Sequence, residues 1–146
     1  MKPQPVDLHG ISDVRDVVTR VVELRSREAR NLASGLERRD RQGLHDFRIA
    51  CKRLRYALER FDSVDPSFQE VAQRLTELQD ALGEAHDRDV LLTILPPRMA
   101  QTERRLQRER AQYVDRAAEL WSFIRFESAS NPSHDSLRRS SGKEKA

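Results

Sequence analysis

An all-α fold is what this sequence predicts: an antiparallel four-helix bundle with one helix interrupted at Pro96-Pro97. Composition is the first ground. Hydrophobic residues make up 37% and charged residues 35%, the balance of helices that bury a narrow apolar seam and solvate the rest. The second ground is what is scarce: 5 glycines in 146 residues, and no alternating run of β-branched residues of the kind a strand needs. The third is periodicity, with apolar residues recurring at three- and four-residue spacing between Gly and Pro breakpoints. A chain of this length fits one domain that buries roughly 70% of its unfolded surface.

Residues 1–11, with Pro3 and Pro5, read as a flexible lead-in to a bundle spanning 12–127. Ser12 or Asp13 caps a first helix with seam Val14, Val18, Val21, Leu32 and Leu36, expected to reach about Arg41. Gly43 then breaks the chain, and a second helix runs from Leu44 to about Phe61. Asp65 and Pro66 restart it as cap and first helical residue. The third helix carries Phe68, Val71, Leu75, Leu78 and Leu82. Gly83 is an expected stop, and Asp87 an expected start for an element with Val90, Leu91, Ile94 and Leu95. Pro96 and Pro97 interrupt whatever helix reaches them. Met99, Leu106, Tyr113, Ala117, Leu120 and Ile124 mark a last long helix, and the Ser-rich, polar residues 128–146 are expected to be disordered. No internal repeat stands out.

The net charge of +3 hides a segregation. Residues 20–60 hold twelve Lys or Arg against six acids, whereas 61–95 hold two against eight, so folding would create a basic and an acidic pole. Of the 27 basic residues 23 are Arg, whose planar fork suits bidentate phosphate contacts, although a G+C-rich genome would produce the same bias. A single cysteine, Cys51, rules out an intrachain disulfide framework and fits a reducing cytoplasm. No stretch is long enough to span a bilayer and the N-terminus lacks an apolar signal core, so a soluble, cytoplasmic protein without a membrane partner is expected.

His45, Arg48, Lys52 and Arg55 fall at i, i+3, i+7 and i+10, one face of a helix, while Phe47, Ala50, Leu54, Leu58 and Phe61 line its apolar side. The row is roughly 15 Å long, enough for several phosphates of an extended polyanion. An ordinary solvated face would intersperse acids at i+4 of each base. Here Asp46 points elsewhere and only Glu59 lies near the far end, which favours a ligand face over a salt-bridged one. Arg53 sits about a quarter turn off the row. Arg20, Arg27 and Arg38 share one side of the first helix and either extend the basic surface or only solubilise it. Ile49 and Tyr56 form a second seam or a wall beside the ligand.

In the segment 78–90, His86 or Arg88 could meet phosphate, with Asp87 or Asp89 acting as cap, ion-pair partner or orienting group. Neither His45 nor His86 shows HxxxH or CxxC spacing, so no metal and no cofactor are expected. Cys51 reads as a packed small residue and Trp121 as core or interface. With no Gly-rich phosphate loop, paired carboxylates or GxSxG, enzymatic activity is not expected. Aromatics total 5%, too few beside the row for base stacking, so a sequence-specific nucleic-acid reader is not expected either. A ligand that is all phosphate and no base fits better. Two rivals stand: phosphate transfer or metal use through His45, and a helical scaffold that binds nucleic acid or acidic proteins without selectivity.

The run His45, Asp46, Phe47, Arg48, Ile49, Ala50, Cys51, Lys52, Arg53, Leu54, Arg55 resembles the H-x-x-R-x-x-x-[KR]-[KR]-L-R signature of CHAD domains, the conserved histidine α-helical domains. Residues 82–90 resemble their L-G-x-x-R-D-x-D-V segment, and with the helix order the likeness covers about residues 12 to 126. The resemblance implies a helical bundle whose basic surface binds inorganic polyphosphate, with His45, Arg48, Lys52, Arg53 and Arg55 at the core of the site. Arg20, Arg27, His86 and Arg88 are its further candidates. It also implies association with polyphosphate granules. Full CHAD domains usually contain two four-helix units, so this chain corresponds to one half. Either two copies pair as a homodimer to rebuild the groove, with Ile49, Tyr56 or Trp121 at the interface, or the chain is a degenerate or truncated member. His86 stands where the family usually has Arg.

Overall fold

Two of the long helices start at an aspartate whose carboxylate accepts from the backbone. In the structure, a computed structural model that describes residues 2–130, Asp13 accepts from the Arg15 N–H at 3.0 Å and opens α1 (Val14–Leu32). After it come the single-turn α2 (Gly35–Arg38), α3 (Arg41–Arg60), α4 (Phe68–Ile94) and α5 (Ala100–Ser130). The protein is thus all-helical, with four long helices among the described residues and no strand. α1 packs on α3, α3 on α4, and α4 on α5, while α2 bridges α3 and α5.

The first expected helix ends early, at Leu32 instead of about Arg41, because two backbones must touch. A Cβ at Gly35 would lie 2.5 Å from the Gly43 carbonyl oxygen, so α2 and α3 meet at a contact that tolerates no side chain. Arg39, with φ at 60°, turns the chain out of α2. Asp40 then accepts from the Gly43 N–H at 2.9 Å and caps α3 three residues before the glycine. That bond, helped by Arg38, holds the Asp40 carboxyl below the usual carboxylate range. Gly43 is therefore inside α3 and does not break it, so the helix starts at Arg41, earlier than the expected Leu44.

α4 corrects two further expectations. Asp65 accepts from the Ser67 N–H at 3.0 Å and hydroxyl at 2.6 Å, which keeps Pro66 in a turn and moves the helix start to Phe68. Beyond it the helix runs unbroken through Gly83 and Asp87 to Ile94, so Gly83 is no stop and Asp87 no cap. A mid-helix glycine costs only about 1 kcal/mol against alanine. Burial of Leu75, Leu78, Ala81, Leu82 and Ala85 between α3 and α5 outweighs that. Leu95, before the prolines, is extended at ψ 130°, and the interruption at Pro96-Pro97 is the connection between α4 and α5.

The core joins α3, α4 and α5. Phe47, Cys51, Leu75, Leu78 and Val114 are its largest fully buried side chains. Phe47 meets Trp121 edge to face at 5.1 Å and 85°, which makes Trp121 a core residue and removes it as an interface candidate. Val14, expected in the first seam, is 64% exposed at the start of α1, and Ile94 is likewise exposed. The lead-in lies along α1: Arg20 Nη1 donates to the Asp7 carbonyl at 2.9 Å and Arg25 Nη1 to the Gln4 carbonyl at 3.1 Å. The polar tail expected over 128–146 falls, from 131 on, outside the described residues.

The two glycines give opposite expectations. Gly83→Ala places its Cβ 3.9 Å from the Arg48 guanidinium, ordinary contact, and should stabilise the fold by about 0.5–1 kcal/mol. Gly35→Ala meets backbone and should destabilise by about 1–3 kcal/mol. Urea unfolding midpoints at unchanged m-value read both, and equal effects would refute the helix contact at Gly35.

Candidate functional site

Starting α3 at Arg41 lengthens the basic row by one turn. Arg41, His45, Arg48, Lys52 and Arg55 now fall at i, i+4, i+7, i+11 and i+14, all on one edge over roughly 21 Å. Arg41 is hidden from a reading that breaks the chain at Gly43, although the Asp40-x-x-Gly43 cap spacing marks the earlier helix start.

The row faces α4 in a regular ladder. Arg55 Nη1 donates to Thr76 Oγ1 at 3.4 Å, Arg48 lies over Gly83, and the His45 ring faces His86 at 6.5 Å between centroids with a 43° tilt. The contacts step down α3 as they step up α4, so the basic row and the Thr76, Gln79, Gly83, His86 edge form the two banks of one groove. At the histidine end is a cleft of about 10 Å³, with Arg41, His45, Arg48, His86 and Asp89 among its lining, room for little more than one water. A cleft of that size does not enclose a phosphate group.

Charge along the α3 bank is one-sided. No ion pair among the described residues involves Arg41, Arg48 or Lys52. Only Glu59 approaches the row, 3.7 Å from Arg55 Nε, and Asp46 is turned to accept from Gln42 at 2.9 Å. Three of the six carboxylates of α4 are spent elsewhere, Asp89 on Arg110 of α5 at 2.5 Å, Glu84 on Arg88, and Glu70 on Arg74 at 2.9 Å, while Glu77, Asp80 and Asp87 are exposed. The Nε groups of Arg48 and Arg55 are buried donors with no hydrogen-bond acceptor among the described residues. An unmet buried donor costs about 1–3 kcal/mol, and Arg55 Nε has the Glu59 carboxylate 3.7 Å away. Tyr56, 50% exposed, lies under the cations of Lys52 at 5.6 Å and Arg55 at 4.9 Å. Its ring is thus engaged by the chain's own cations and holds them apart at the end of the row.

The remaining candidates lie elsewhere. Arg88 turns to α5, bonding Glu109 at 3.0 Å and Glu84, with its guanidinium 4.8 Å above the Tyr113 ring. Glu109 first and Glu84 second hold it more firmly charged than usual, and it is not brought into the row. Arg20 and Arg27 line a separate recess of about 340 Å³ between α1 and the lead-in, and Arg38 belongs to α2, paired with Asp40 at 3.3 Å. Arg53 is half-buried, off the row. Cys51 is fully buried and burial pushes its thiol up, so it is packing, not a nucleophile. No group of three His, Cys, Asp or Glu among the described residues is arranged to hold a metal ion. No described helix is long and apolar enough to cross a membrane.

The CHAD domain family model matches residues 5–96, from the lead-in to the end of α4. The chain belongs to the CHAD domain family. The match covers both banks of the groove, whereas α5 of this CHAD domain lies beyond the matched span. CHAD domains occur in polyphosphate-binding and related contexts. Among curated proteins and solved structures nothing matches the chain significantly.

Proposed function

We propose that this CHAD domain binds inorganic polyphosphate, or a polyanion of similar charge density, without transforming it. The observation that carries the reading is the row of Arg41, His45, Arg48, Lys52 and Arg55, in which Arg41, Arg48 and Lys52 have no ion-pair partner among the described residues and Arg55 meets only Glu59, at 3.7 Å. Arg48 and Arg55 supply donors that the fold leaves unmet, and Lys52 and Arg41 supply exposed charge. The shallow, linear groove suits a polymer better than a compact metabolite. Such an activity would place the chain with polyphosphate granules, and because the row is complete on one chain it needs no second copy.

A phosphate-transfer role for His45 needs a group to orient its ring and move its proton. Among the described residues the ring that faces it is another histidine, and no carboxylate bonds it. Nucleic acid is disfavoured because the one aromatic at the row, Tyr56, is engaged by Lys52 and Arg55.

The test is binding of labelled long-chain polyphosphate to the whole chain, titrated with salt and competed with charge-matched single-stranded DNA. We expect affinity to fall steeply with salt and DNA to compete at about tenfold or greater excess only. Equal competition by DNA would reduce the protein to a non-selective basic scaffold.

A further inference from the structure

We infer that the groove is proton-gated at its His45–His86 end, so that polyphosphate is gripped more tightly as pH falls through the histidine range. The inference rests on the polyphosphate reading above and names how that site is regulated. Two imidazoles face each other across the groove, 6.5 Å apart between centroids and both exposed. No hydrogen bond among the described residues engages either ring. Histidine is the side chain whose unperturbed charge change falls between about pH 5 and 8, and these are the two histidines of the banks.

Their electrostatic surroundings make that charge matter. Arg41 and Arg48 flank them on α3. From α4 the one carboxylate in the cleft is Asp89, and Arg110 of α5 holds it at 2.5 Å. Arg110 in turn donates to the Arg39 carbonyl of α2 at 2.7 Å, so α2 sends no free anion either. α1 contributes nothing to the lining. Asp46, next to His45, accepts from Gln42, and Asp87, next to His86, is exposed outside the cleft lining. Within the cleft a protonated pair meets Arg41, Arg48 and the neutralised Asp89, and a phosphate run laid across it is the counter-charge. Bound phosphate favours imidazolium on both rings and accepts from both. By linkage, each proton taken up on binding steepens the pH dependence of affinity. The interior phosphates of a long chain are strongly acidic, so the ligand's own charge barely changes over this range.

The experiment measures affinity for long-chain inorganic polyphosphate at constant ionic strength, at about pH 8 and about pH 5.5. The wild type is expected to tighten about tenfold or more, since each proton taken up on binding is worth one power of ten per pH unit over which it is taken up. His45→Gln with His86→Gln should change less than about twofold, and His86→Arg, cationic throughout, should bind more tightly than wild type at the higher pH. Calorimetry in two buffers of different ionisation enthalpy should show proton uptake by the wild type and none by the double variant. Both side chains are exposed, so circular dichroism is expected to show unchanged folding. Equal pH ratios in wild type and double variant would overturn the gate while leaving polyphosphate binding intact. No binding by wild type or His86→Arg at either pH would remove the polyphosphate reading itself, and the gate with it.

Discussion

Asp89→Ala is expected to lower the unfolding free energy by about 3 kcal/mol, the lower end of the cost of stranding one partner of a buried ion pair. Asp89 is 8% exposed and its carboxylate takes the Arg110 Nε at 2.5 Å. Arg110 spends a second nitrogen on the Arg39 carbonyl at 2.7 Å, so one guanidinium ties α4, α5 and the left-handed turn after α2. Without Asp89 the guanidinium keeps one neutral acceptor and remains largely out of water, its side chain 18% exposed. Replacing both partners, Asp89→Leu with Arg110→Met, should recover much of the loss, because a matched apolar pair carries no desolvated charge. Urea unfolding of the two variants reads the difference. A loss below about 1 kcal/mol for Asp89→Ala would mean that water reaches the pair and it behaves as a surface contact.

Arg48→Ala combined with Lys52→Ala is expected to weaken polyphosphate binding by about 30-fold at low salt, taking roughly 1 kcal/mol for each exposed charge-assisted contact. The slope of log affinity against log salt should fall by about two, one for each phosphate no longer neutralised. The two positions act differently. Arg48 brings a buried Nε donor held over Gly83, whereas Lys52 is exposed and leans on Tyr56. The Arg48 variant alone should therefore lose more than the Lys52 variant alone. Folding should survive, since neither side chain takes part in an ion pair among the described residues. A double variant that binds like wild type with an unchanged salt slope would move the site off α3. The recess at Arg20 and Arg27 would then be the next place to look.

Much of this was legible in the chain itself. A 3.6-residue apolar period survives any packing arrangement, so the helical class, the core positions Phe47, Leu54, Leu75, Leu78 and Leu120, and the shared face of His45, Arg48, Lys52 and Arg55 could be read directly. Helix ends could not. Gly43 and Gly83 look like stops by propensity, worth about 1 kcal/mol each, and tertiary burial of the surrounding leucines and alanines outweighs so small a term. A break at Gly43 leaves Arg41 outside the row.

Sequence alone determined which residues share a helix face, because local backbone geometry sets that within a few turns. Which bank the basic row would meet, and where the acids would go, only the tertiary structure decided. The packing of α4 between α3 and α5 sets Thr76, Gly83 and His86 against the row and commits Asp89 to Arg110. It also draws Arg88 away to Glu109 and leaves Arg20 and Arg27 beside the lead-in. Charges along a sequence sum without direction. Only packed helices determine which carboxylate lies within reach of which guanidinium, and so which cations remain for a ligand.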